Sequence, residues 1–139
     1  MKKQFYEMYN IGKAKYVINY HDGVKTHNDG SPFFDISIFR SKKKMEEFKM
    51  SLIKKGYYDR NSTPVIFRIL KGEVIAFFPT IENGSYIMSY MHVGQHSDAD
   101  PTLINELKPA TKKQYKELYD ELVSIGYTDM VVYKENVFN

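Results

Sequence analysis

Residues 41 to 59, SKKKMEEFKMSLIKKGYYD, align without gaps on residues 111 to 129, TKKQYKELYDELVSIGYTD, at an offset of 70 positions. Lys42, Lys43, Glu47, Leu52, Gly56, Tyr57 and Asp59 recur as Lys112, Lys113, Glu117, Leu122, Gly126, Tyr127 and Asp129. Lysine and glutamate matches are common between any two surface helices, but the Gly-Tyr-x-Asp that ends both segments is not a composition effect. The repeat constrains the fold to one that two like halves, about 1–59 and 63–133, can build.

Both repeated segments read as helices. Met45, Phe48, Leu52 and Ile53 fall at i, i+3, i+7 and i+8, and Tyr115, Leu118, Tyr119, Leu122 and Ile125 make a second apolar stripe. Ser41 is a cap for the first, and Thr111 with Gln114 three residues on forms a capping box for the second. Gly56 and Gly126 stand where a left-handed residue closes each helix. Elsewhere the period is two, the mark of half-buried strands: Tyr16 to Tyr20, Phe34 to Phe39, Val65 to Leu70, Val74 to Phe78, Tyr86 to Met91 and Met130 to Tyr133. A seventh strand runs from Gln4 to Tyr9, with Ile11 to Ala14 turning into the next. Lys71-Gly72 and Asn83-Gly84 are hairpin signals, so antiparallel neighbours follow.

Upstream of the helices the repeat continues at other offsets, VINY at 17 to 20 on VIAF at 74 to 77 and FDISIF on YIMSYM. The changes of offset locate two elaborated segments, His21 to Pro32 in the first half and the longer His92 to Ala110 in the second. All four histidines lie in these two segments. Within the second, Asp100-Pro101 followed by Leu103, Ile104 and Leu107 predicts a short capped helix.

At 139 residues and 16.3 kDa the length is that of a single domain, 1–139. With 42% hydrophobic and 27% charged residues, disordered and collagen-like classes drop out. A net charge of +3 names no partner, and all but Arg40, Arg60 and Arg68 of the 20 basic residues are lysine, so guanidinium forks for phosphate or guanine are few. There is no cysteine, hence no disulfide framework, thiolate metal site or cysteine nucleophile. The start of the chain lacks the apolar stretch of a signal peptide, and the run Val74 to Phe78 is too short to span a bilayer.

No phosphate loop, GxGxxG, HExxH or GxSxG occurs. His21, Asp22, His27 and Asp29 in the first loop and His92, His96, Asp98 and Asp100 in the second are metal-ligand types, but a zinc or manganese site needs three or four of them converging at about 2.0 to 2.2 Å. Asp22-Gly23 and Asn28-Asp29-Gly30 read equally as turn chemistry. Ser97 beside His96 lacks the spacing of a nucleophile and its base. Tyr16, Ile18 and Tyr20 share one strand face and Tyr86, Met88 and Tyr90 another, which suits either base stacking or core packing under a helix. Lys42 to Lys44 and Lys112-Lys113 suit phosphate contact or plain solvation.

KYVINYHDGVKTHNDGSPFFDISIF, with the lysine-rich helix after it, resembles an uncharacterised family of small phage and mobile-element proteins. VIAFFPTI, SYMHVGQHSDAD, KPATKKQYKELYDEL and SIGY resemble a second such family, found in gut Bacteroidales and their phages. The two resemblances span roughly residues 14 to 58 and 73 to 133. No activity attaches to either, so they imply a source and a cytoplasmic setting and carry over no catalytic residue.

The sequence therefore predicts an α+β domain of duplicated β-β-β-α halves, an antiparallel sheet with two long helices packed on one side. The expected function is a non-enzymatic binding module without cofactor or metal, whose partner is a host or phage protein. A small metal-dependent enzyme such as a nuclease and an RNA- or DNA-binding module are the alternatives, and no membrane is involved. Candidate binding residues are His92, Gln95, His96 and Asp98, joined by His21, Asp22 and His27. Loops that differ between like halves are free to acquire function, which points to these residues.

Overall fold

Apolar residues at helical spacing need a sheet to cover, and each helix finds one. The computed structural model describes residues 2–8, 16–92 and 95–138, and within them the chain divides into two compact units, residues 1–61 and 62–139. The turn expected at Ile11 to Ala14 lies outside the described residues.

The first unit runs β1 (Gln4–Met8), β2 (Tyr16–His21), β3 (Asp35–Phe39), α1 (Lys42–Lys54) and β4 (Tyr58–Asp59). Its sheet has the order β3-β2-β1-β4, antiparallel except that β4 lies parallel to β1. Phe5, Ile18, Met45 and Leu52 form the core under α1, with Tyr16, Tyr20, Phe39 and Phe48 packed around them. The Lys49 ammonium and the Glu7 carboxylate pair between α1 and β1.

The second unit runs β5 (Thr63–Leu70), β6 (Glu73–Asn83), β7 (Tyr86–Met91), β8 (Gln95–Ala99), α2 (Leu103–Glu106), β9 (Lys108–Pro109), α3 (Lys112–Ser124) and β10 (Met130–Val132). Its strand order is β10-β5-β6-β7-β8, with β10 parallel to β5 and β9 antiparallel to β5. Val65, Phe67, Ala76, Phe78 and Tyr90 pack under Leu118 and Leu122 of α3. Apart from the stretch from β8 to β9, the connectivity of this unit is that of the first: three antiparallel strands, a helix, and a last strand parallel to the first.

The helix ends form as their sequences require. The Ser41 hydroxyl accepts the Lys44 amide, and Thr111 and Gln114 complete the capping box at 2.8 and 3.3 Å. Gly56 and Gly126, at φ +85° and +120°, reverse the chain so that the Tyr57 and Tyr127 amides return to the carbonyls of Leu52 and Leu122.

Three expectations are corrected. There is not one antiparallel sheet but two, each with a parallel pair, because α1 and α3 are each followed by a strand laid parallel to the first strand of the unit. The 13-residue helices α1 and α3 do not share one sheet but each lies on its own, and the short helix expected after Asp100-Pro101 is α2. Ile125 leaves the apolar stripe, since it is the C-cap of α3 and is 49% exposed. Among the described residues, no helix is long and apolar enough to cross a membrane.

Leu122 is fully buried and Ile125 is not. Leu122→Ala should therefore lower unfolding stability by about 2–5 kcal/mol, and Ile125→Ala by less than about 0.5 kcal/mol, read from urea midpoints.

Candidate binding site

The first elaborated loop closes on itself. His21, at the end of β2, is buried, its Nδ1 lies 2.9 Å from the Phe33 carbonyl, and its ring tilts against Phe34. A carbonyl only accepts, so Nδ1 carries the proton. The Asp22 carboxylate accepts the amides of Val24 and Lys25, both at 2.8 Å. Asp29 accepts the hydroxyl and the amide of Ser31 at 2.6 and 2.9 Å. The Lys25 ammonium donates to Asp35 at 3.2 Å, Thr26 bridges Pro32, and His27 rests its ring on Phe33. Asp22 and Asp29 thus serve as turn acceptors, and His21 belongs to the packing of its unit.

The second segment is different. Instead of a loop, Gln95 to Ala99 form the edge strand β8, paired with β7 in a register that sets His96 opposite Tyr90 and Asp98 opposite Met88. Alternation then puts His96 and Asp98 on the same face as Tyr90, with His92 two residues beyond Tyr90, and sends Gln95 and Ser97 to the other face. On the first face α3 presents Glu121. Its carboxylate accepts the Tyr90 hydroxyl at 2.5 Å through Oε2 and meets His92 Nδ1 at 2.8 Å through Oε1. His96 stands edge-on to the Tyr90 ring, and its Nε2 lies 3.0 Å from the Tyr127 hydroxyl. Tyr127 in turn stacks on Phe78. Asp98 accepts the side-chain amide of Asn83 at 3.1 Å.

A carboxylate only accepts, so Nδ1 of His92 donates to Glu121, and this bond holds the exposed ring in one orientation. Gln95, His96, Ser97 and Asp98 are all exposed along β8. The short helix expected after Asp100-Pro101 forms, but Asp100 bonds the amide and hydroxyl of Thr102 instead of capping α2 directly. Ile104 of α2 is fully buried and Leu103 and Leu107 are half-buried, so they serve packing and not an exposed anchor. Among the described residues, no three His, Cys, Asp or Glu side chains converge on a point that could hold a metal ion.

The aromatic faces offered for base stacking are covered. Tyr16, Ile18 and Tyr20 pack under α1, and Tyr90 packs under α3, which leaves Tyr86 exposed. Sequence reasoning missed Glu121, although the repeat carries its signal: at the offset of 70 its counterpart is Ser51, so a carboxylate replaces a hydroxyl at one helix position in the half that bears the histidine segment. Tyr127 was visible only as part of the repeated Gly-Tyr-x-Asp. No family model, curated protein or solved structure matches the chain.

The loop carboxylates should report their turns on titration. Backbone amides of Lys25 and Val24 hold the Asp22 carboxyl below its ordinary value of 3.8, and the Ser31 hydroxyl and amide do the same for Asp29. Burial pushes Asp59 up. A depressed carboxyl stabilises the fold above its ordinary value and loses that contribution as pH falls through its folded value. Carboxyl carbon shifts in NMR should then titrate below 3.8 for Asp22 and Asp29 and above it for Asp59. Imidazole nitrogen shifts should give the Nδ1–H tautomer for neutral His92, which Glu121→Ala abolishes.

Proposed function

We propose that the chain is a non-enzymatic macromolecule-binding accessory protein of a phage or mobile element, and that its partner, a host or phage protein, engages the edge strand β8. The observation that carries this reading is the edge itself. Four successive side chains of β8 are exposed, and no described strand pairs on its outer side. An edge strand offers alternate backbone donors and acceptors to an added strand, and His96 and Asp98 supply side-chain specificity on one face. His92, held by Glu121, adds an oriented imidazole beside it. The phage or mobile-element setting, the cytoplasmic location and a counter-defence role rest on the resemblance of the two motifs. A nucleic-acid partner is the second class that the lysines allow.

We also infer that the two units descend from a duplication. Their matching strand connectivity, the paired helix caps and the Gly-Tyr turns support this, and the stretch from β8 to β9 is then an insertion into the second copy. The competing reading, a small metal-dependent enzyme, requires three ligand side chains in one cleft.

Replacing His92, Gln95, His96 and Asp98 with Ala together should leave the melting temperature unchanged, since none is buried, and abolish capture of the protein retained by the wild type in a pull-down identified by mass spectrometry. A variant that melts normally and retains that protein with equal affinity excludes β8. Melts with and without chelator should coincide, and a fall of many degrees on chelation would move the metal-dependent reading to first place.

A further inference from the structure

β9 and β10 both pair with the edge of β5 that faces away from β6, β9 at Arg68 and Ile69 and β10 from Thr63 to Val65. Tyr133 and Ala110 extend this pairing to the carbonyls of Val65 and Phe67, and where the two segments approach each other a cavity of about 510 Å³ lies beside them, within the size range of small-molecule sites. Lys108 of β9, Lys112 in the first turn of α3 and Lys134 just after β10 line it, and no Asp or Glu does. None of these lysines has an ion-pair partner among the described residues. Tyr115, stacked at 4.4 Å on Phe67, forms an apolar wall.

Arg68 also lines the cavity, and it is 4% exposed. Its Nε, Nη1 and Nη2 donate to the carbonyls of Ile104, Phe67 and Lys134 at 2.9, 3.2 and 2.7 Å, which uses three of the five N–H donors of a guanidinium. It has no carboxylate within ion-pair distance among the described residues. Glu135 acts on it only through space, while burial pushes its pKa down. A buried cation satisfied by neutral carbonyls alone is costly, and an anion beside it relieves that cost. The α3 macrodipole and the amides of its first turn add positive potential to the same place.

We propose that this cavity binds a small phosphate-bearing molecule of nucleotide size, its phosphates held by Lys108, Lys112 and Lys134, with the buried charge of Arg68 close by, and its remainder resting against Tyr115. The site is independent of β8 and of any macromolecular partner. The insertion builds it, because β9 has no counterpart in the first unit.

Isothermal titration of the full chain with ATP, inorganic pyrophosphate, adenosine and a single-stranded decathymidylate tests the assignment. ATP and pyrophosphate should bind, more weakly as salt rises, and adenosine should not. The pair Lys112→Glu and Lys134→Glu should weaken ATP binding by about tenfold or more. Both side chains are exposed, and a carboxylate at the start of α3 suits the helix dipole, so the variant should fold, with Lys134→Ala alone as a second variant. The pair Lys42→Glu and Lys43→Glu makes the same change of charge on α1 and should leave binding unchanged. The proposal is overturned by no binding of ATP or pyrophosphate at millimolar concentration, by equal loss in the two charge variants, by adenosine binding as tightly as ATP, or by binding confined to the oligonucleotide.

Discussion

The guanidinium of Arg68 is where three segments of the second unit meet. One donor holds the Ile104 carbonyl in α2, one holds Phe67 on its own strand, and one holds Lys134 just after β10. Phe67 faces α3, so alternation sends Arg68 to the opposite side of the sheet, the side that α3 leaves bare. A lysine there would present one strongly hydrated point charge in place of a planar fork. The only other arginines, Arg40 and Arg60, lie in the first unit, where Arg60 rests over the Tyr6 ring.

Much of the architecture was legible because periodicity reports which face of an element is buried. Strands stand where the seven were expected and helices over 42–54 and 112–124, although β6 runs five residues beyond Phe78 and Tyr9, the expected end of the first strand, lies outside the described residues. Periodicity does not report which strands are neighbours, and this is why one sheet was expected where there are two. The two-residue strands β4 and β9 are too short to carry a pattern. β8 escaped for a different reason: Gln95, His96, Ser97 and Asp98 are all polar, so nothing in QHSDA alternates. Its extended form is imposed by the open backbone of β7, with which it pairs over five residues.

The site was legible in outline and not in its partners. The seven candidate residues do not form one constellation: Asp22 closes a turn, His21 is core, His27 leans on Phe33, and His92, His96 and Asp98 share a face of the second sheet. What joins His92 to Tyr90 is Glu121, which lies 29 positions from His92 in the chain and is marked in sequence only by standing where the first helix has Ser51. The basic cavity was less visible still. Lys108, Lys112 and Lys134 look like ordinary surface lysines until β9 and β10 bring them together along one edge of β5.

In the second unit β8 covers the outer edge of β7, whereas β3, which holds the corresponding place in the first unit, has no described strand beyond it. Ile36 and Ile38 stand 63% and 65% exposed on that bare strand, with Lys25 and Asp35 paired at one end of it. Apolar side chains on an open strand are the surface from which chains add edge to edge. An exposed pair of isoleucines on an edge strand makes β3, remote in sequence from every residue assigned a binding role in the second unit, the margin of the first unit most suited to self-association at high concentration.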